Sequence, residues 1–251
     1  MVGGRIKSTE VRARAADSAK RTSTDAVFGG RVIVEQPARG RGYRVNADAL
    51  ILADFAGPAH GLVVDVGAGV GSVALVMIAR GFAKQALLVE LDEAVCELAV
   101  ANVMHNGADI DVMCGDALDV ARKNRGVASS VVCNPPYFEP GTARVSKASE
   151  KARSGELERF GRAAREFLGK RGRAHFVYPA TDLARLLVTL RGAGLEAKRL
   201  RLVHAKADAP ARVALVEARA SKPGGLVVMP PLFEREGAKY TAEMSALLGL
   251  A

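Results

Sequence analysis

A chain of 251 residues, 49% hydrophobic and 25% charged, has material for one large α/β domain with its own core. That excludes a disordered linker or a disulfide-framed miniprotein. The formal charge of +9 points to a polyanionic partner (nucleic acid, an anionic membrane surface or an acidic protein), though a solvated cationic surface explains it as well.

Residues 1–24 hold six Lys/Arg against two acids with no apolar periodicity, the pattern of a disordered basic tail. The folded domain is expected over 25–251, with 25–60 as an N-terminal extension ahead of the main sheet. Within it Arg31 to Glu35 is β-like. Ala47 to Ala56 reads as an apolar helix, with Asp48 in its first turn favouring the helix dipole.

From residue 61 a regular alternation begins. Leu62 to Val66 is a short apolar strand, followed by glycines and a helical run to about Arg80. Ala86 to Glu90 is the next strand and Glu93 to Asn106 the next helix. Ile110 to Cys114, Ser129 to Cys133 and Ala174 to Tyr178 are further strands, and Leu200–His204 and Arg212–Ala218 are β-like. Apolar strands separated by helices indicate a parallel sheet covered on both faces. The last two strands lack an intervening helix, so one is expected to be antiparallel. The fold class is therefore α/β, a Rossmann-like doubly wound domain with a mostly parallel seven-stranded sheet and one antiparallel strand near the C-terminus.

Four histidines far apart and three cysteines without a CxxC pair offer no metal-ligand spacing, so no metal is expected. Cys96, Cys114 and Cys133 read as small core residues of a reducing compartment. No apolar run approaches the roughly 20 residues that span a bilayer, and no secretory signal is evident. A cytoplasmic protein without a membrane segment is expected.

In a doubly wound sheet the ligand sits at the carboxyl ends of the strands, at the switch in strand order. There the chain reads Asp65-Val-Gly67-Ala-Gly69-Val-Gly71. The glycines permit a tight turn and a close ligand approach. Their spacing is not GxGxxG, and an acid just before them repels a pyrophosphate, which counts against a nicotinamide-binding dehydrogenase. Glu90, about 20 residues on, can accept from vicinal ribose hydroxyls. Asp116 ends the next strand, with Ala117 after it, placed to accept from an adenine amino group. Each acid alone could be a solvated helix cap. Three at successive strand ends describe a pocket for adenosine with a positive amino-acid tail, which is S-adenosylmethionine.

The strand Ser129 to Cys133 runs into Asn134-Pro135-Pro136-Tyr137. Asn-Pro-Pro can be a plain turn. It also fits methyl transfer to a conjugated amine, whose lone pair is delocalised and nucleophilic only when fixed acceptors hold both N–H groups. The Asn134 side-chain oxygen and the Pro135 carbonyl are such acceptors, and the prolines bias the backbone to extended geometry before substrate arrives. Tyr137 offers a stacking face for a base swung out of its stack.

These segments resemble the class I methyltransferases with an NPPY motif, and more closely the bacterial valine-tRNA adenine N6-methyltransferases. The resemblance runs over roughly 25–251. It includes Gly42-Tyr-Arg-Val-Asn-Ala-Asp48, Asp65-Val-Gly-Ala-Gly69, Val89-Glu90-Leu-Asp92, Asn134-Pro-Pro-Tyr137-Phe138 and Leu226 through Met244. It implies that Asp65, Gly67, Gly69, Glu90, Asp116 and Ala117 hold S-adenosylmethionine while the segment from Arg44 to Asp48 closes over it. Asn134, Pro135 and Tyr137 would hold an adenine of tRNA beside the anticodon.

Rivals are a glutamine N5-methyltransferase of release factors, a guanine-N2 methyltransferase of rRNA and a non-catalytic RNA-binding module. The first carries a helical recognition domain ahead of the glycine loop, where this chain is basic, glycine-rich and partly β. RNA contacts are expected from Phe138, Arg144, Lys147, Lys151 and Arg153, because residues 144–173 hold ten Lys/Arg against four acids. Arg159, Arg162 and Arg165 read equally well as a solvated helix surface. The sequence does not give the oligomeric state.

Overall fold

The computed structural model describes residues 22–38, 45–135 and 147–250, without the side chains of 147–154. An antiparallel hairpin, β1 (Thr22–Val27) and β2 (Val32–Pro37), precedes helix α1 (Ala47–Ala56). β1 thus begins inside the segment read as tail, of which residues 1–21 lie outside the described residues. The alternation follows as β3 (Val63–Val66), α2 (Ser72–Ala79), β4 (Ala86–Glu90), α3 (Glu93–His105), β5 (Ile110–Cys114), α4 (Ala117–Lys123) and β6 (Ala128–Cys133). Then come α5 (Lys147–Phe167), β7 (Leu168–Pro179), α6 (Leu183–Gly192), β8 (Glu196–His204) and β9 (Ala211–Arg219). Two-residue strands β10 (Val227–Val228), β11 (Leu232–Phe233), β12 (Arg235–Glu236) and β13 (Lys239–Tyr240) lead to α7 (Ala242–Leu248).

The central sheet runs β10-β8-β9-β7-β6-β3-β4-β5, with β11 also on β8. β3, β4, β5, β6 and β7 are mutually parallel and β9 is antiparallel to both neighbours. The seven expected strands are present, one of them antiparallel. The two extra ones are short edge pieces on β8. All four residues of β3 are buried, because layers cover both faces. One core packs α1, α2, α3, α7 and the hairpin against the sheet, and the other packs α4, α5 and α6. The chain moves from β3 outward through β4 to β5, then returns to β6 on the other side of β3. That reversal opens a crevice at the carboxyl ends of β3 and β6.

One expectation fails. Cys96 and Cys114 do not stand apart as reduced core thiols but are joined as a disulfide, with Cα atoms 6.0 Å apart. Pairing of β5 with β4 sets Cys114 opposite Glu90, and α3 returns Cys96 to the same place. Cys133 is the buried free thiol, raised by burial and by nearby Asp65. Among the described residues no helix is long and apolar enough to cross a membrane. None of them form a group of three side chains suited to a metal ion.

Candidate active site

β3 ends at Val66, and Gly67, Gly69 and Gly71 carry the turn into α2 at φ +68°, +56° and +86°. At two of these positions a side chain is opposed by packing as well as conformation. A Cβ at Gly71 would lie 2.7 Å from Leu88 Cδ1, and one at Gly67 would lie 3.1 Å from the Phe160 ring.

Asp65 is 1% exposed, and its Oδ2 accepts from the Ala74 N–H at 3.3 Å. Burial pushes its carboxyl up to about 7; the Ala74 bond opposes this and the charge of Glu90 adds to it. Glu90 ends β4 and organises the turn around itself: Oε2 accepts from Gly69 N–H at 2.9 Å, while Oε1 accepts from Leu91 and Asp92 N–H at 2.8 and 3.0 Å. Asp116 caps α4 through Oδ1, which accepts from the Leu118 and Asp119 amides at 3.1 Å each. Its Oδ2 is paired with Arg159 of α5. Partial burial alone would raise Asp116, but the Arg159 guanidinium and the capped amides bring it below the usual carboxylate range.

Asp65, Gly67, Gly69, Glu90, Asp116, Ala117 and Asn134 all line one cavity of about 670 Å³, the size of a small-molecule site. Asn134 follows β6 directly, and its side-chain oxygen is buried. The wall also has residues from three other places, two of which the sequence did not single out. Leu91, 68% exposed, and Val95 are apolar surfaces beside Glu90. Pro37 and Val45 come from the N-terminal extension, and Val45 lies in the Arg44 to Asp48 segment expected over the cofactor. Glu156, Arg159 and Phe160 come from α5, and their i, i+3, i+4 spacing on one helix face was the available signal. Burial and the charge of Glu90 raise Glu156 as well.

Asp48 does not line this cavity. It is 1% exposed, and Oδ1 accepts from Arg212 Nη2 at 2.6 Å. Arg44, Tyr137, Phe138 and Arg144 lie outside the described residues. Lys147, Lys151 and Arg153 fall on α5, with side chains outside them.

The donor set fits a cationic nucleoside ligand. The bare glycine backbone and apolar walls leave room for an adenosine, while the Gly67, Gly69 and Gly71 N–H groups are already donated to Val89, Glu90 and Ala68. Among the described residues the lining holds five acids, Asp65, Glu90, Asp92, Asp116 and Glu156, against one cation, Arg159, a balance that favours an ammonium and opposes a pyrophosphate. A family model of the methyltransferase small domain matches residues 45–184. The chain belongs to that family. It is an S-adenosylmethionine-dependent methyltransferase.

The methyltransferase is similar to a tRNA1(Val) (adenine(37)-N6)-methyltransferase of Photobacterium profundum. The two are 24% identical over 218 residues, 83% of this chain and 90% of that one. A protein of the same name from Serratia proteamaculans is 36% identical over 115 residues, 44% of each chain. Among solved structures, a predicted O-methyltransferase from Agrobacterium tumefaciens shares the fold with a TM-score of 0.67 at 22% identity. That match covers 81% of this chain and 97% of the other. M. jannaschii TYW2 in complex with AdoMet gives 0.54 at 18% identity over 79% and 85%.

Proposed function

We propose that this methyltransferase modifies the N6 amino group of an adenine in tRNA, next to the anticodon of a valine tRNA. The observation that carries the reading is Asn134. Its side-chain oxygen is buried on the wall of the cavity that also contains Asp65, Glu90 and Asp116, and Pro135-Pro136-Tyr137 follow it in sequence. The names of the similar proteins support the same substrate.

S-adenosylmethionine supplies an electrophilic methyl group when bound. Asp65 accepts from its ammonium, Glu90 from the ribose hydroxyls and Asp116 from the adenine amino group, against Gly67, Gly69 and Ala117. Residues 25–60 are assigned as the cofactor-covering extension, and Arg44 is assigned to cofactor binding by the family resemblance. Toward the acceptor, Asn134 Oδ1 and the Pro135 carbonyl take the two N–H bonds of the target amine. This disposes the nitrogen toward a tetrahedral shape, with its lone pair aimed at the methyl. Tyr137 stacks the base, and Phe138 and the basic residues Arg144, Lys147, Lys151 and Arg153 hold flanking nucleotides. A strong general base is unnecessary, because the departing proton leaves a cationic, acidic ammonium. A tRNA substrate is in keeping with a cytoplasmic protein.

The test is to incubate total RNA with radiolabelled cofactor and digest it to nucleosides. N6-methyladenosine from the tRNA fraction is expected, and tRNA with that adenine substituted should be inert. N2-methylguanosine in rRNA, or N5-methylglutamine in a protein, would overturn the substrate and leave the methyltransferase standing.

A further inference from the structure

Asn102 sits on α3, outside the cavity lining, and is 2% exposed. Its Oδ1 accepts from the Glu35 N–H at 2.7 Å, and its Nδ2 donates back to the Glu35 carbonyl at 2.9 Å. One turn later Asn106 repeats the pattern on Ile33, accepting at 3.0 Å and donating at 2.7 Å. Four residues of helix rise about 6 Å and two residues of strand about 6.6 Å, so the two repeats match. The asparagine amides stand where the next strand's backbone would, and they dock β2 on the helix.

Each amide makes one bond more: Asn106 Nδ2 donates to the Asn102 carbonyl at 2.8 Å, within the same helix end, whereas Asn102 reaches another element. Its Nδ2 also donates to the Val70 carbonyl at 3.1 Å, and Val70 belongs to the glycine loop and lines the cavity. Next to Glu35, Gln36 is 2% exposed; its Oε1 accepts from the Val45 N–H at 2.7 Å and its Nε2 donates to Asp25 Oδ2 at 2.5 Å. Pro37 and Val45, on either side of these bonds, are cavity wall. A single buried amide therefore ties the glycine loop to the hairpin, and the neighbouring one ties the hairpin to Val45.

We infer that Asn102 is a positioning residue for the cofactor, fixing the glycine loop against the wall residues Pro37 and Val45, and that Gln36 extends its reach. The inference rests on this cavity being the S-adenosylmethionine site. An amide suits the place because it accepts and donates twice at once. A carboxylate there would face two carbonyls, and leucine would leave them without their donor.

Asn102→Leu and Asn106→Leu form a matched pair, since both loosen the hairpin but only the first touches the glycine loop. By calorimetry Asn102→Leu should weaken S-adenosylmethionine binding about tenfold or more, as expected for one lost buried hydrogen bond. KM for the cofactor should rise in step while kcat stays within about threefold. Asn106→Leu should lower the melting temperature comparably and leave Kd within about twofold. Gln36→Leu should weaken binding without disturbing α3, and it carries the test if Asn102→Leu does not fold. Equal Kd changes in the matched pair, or unchanged Kd in Gln36→Leu, would overturn the proposal. A wild type that fails to bind S-adenosylmethionine would refute the cofactor reading instead.

Discussion

Replacing Asp65 with asparagine separates the charge of this carboxylate from its shape. The buried carboxyl stands at about 7 in the free protein, against 3.8 for an exposed one. With the folded value raised, this group's contribution to stability is full below the ordinary carboxylate range and is lost as pH rises through 7. The difference amounts to about 4 kcal/mol of preference for the protonated form. The ligand-free protein should therefore melt higher at pH 5 than at pH 8 on this account, and Asp65→Asn should flatten that dependence. Binding works in the opposite direction. In the role proposed for Asp65, accepting from the cofactor ammonium requires the carboxylate, so binding at low pH would expel a proton. With a free-state value of about 7, Kd for S-adenosylmethionine should weaken about fifteenfold from pH 7 to pH 5.5, with close to one proton released at the lower pH. Calorimetry in two buffers of different ionisation heat measures both quantities. Glu156, also raised by burial, adds its own share, so Asp65→Asn should bind more weakly with a much shallower slope. A flat wild-type Kd between pH 5.5 and 7, or an asparagine variant with the full wild-type slope, would refute the reasoning.

Asn134→Ala should keep cofactor affinity and lose on the order of 10²-fold or more in kcat, because one prearranged acceptor is gone; turnover near wild type would count against the mechanism. Gly67→Ala places a Cβ 3.1 Å from the Phe160 ring at φ +68°. It should cost about 1–2 kcal/mol of stability for the left-handed backbone and weaken S-adenosylmethionine binding, both read by calorimetry. Arg212→Ala leaves Asp48 buried without its guanidinium, because Arg212 bonds both Asp48 and Glu234 at 2.6 Å. A loss near the lower end of about 3–5 kcal/mol is expected, since Arg212 is partly exposed. Chemical denaturation checks it, and a change under 1 kcal/mol would contradict the pairing.

The carboxyl-end cavity was legible because its first layer is written locally. A strand, a glycine turn and an acid recur, and β-sheet topology carries such ends to one side. Asp65, Glu90, Asp116 and Asn134 were found this way. Asp48 is in the first turn of α1 as expected but off the cavity lining, and that position says nothing about Arg212, which lies 164 residues away. Glu156, Arg159 and Phe160 were hidden for a different reason. They belong to a basic amphipathic helix, whose periodicity shows one buried face but not which cavity its edge enters.

Period and punctuation by themselves determined the elements. β4, β5 and α1 have the bounds expected from their apolar runs, and β6 differs by one residue. They also determined the parallel class of the sheet, since strands buried on both faces read as continuous apolar runs. Only the tertiary structure decided that Asn102 serves β2 and Val70, that Arg159 takes Asp116, and that Cys96 meets Cys114. Those pairings join residues 18 to 67 positions apart, whose proximity depends on how helices and strands stack. Local hydrogen bonding and hydrophobic periodicity act over a few residues. The partner of a buried polar side chain is set by packing across the whole domain.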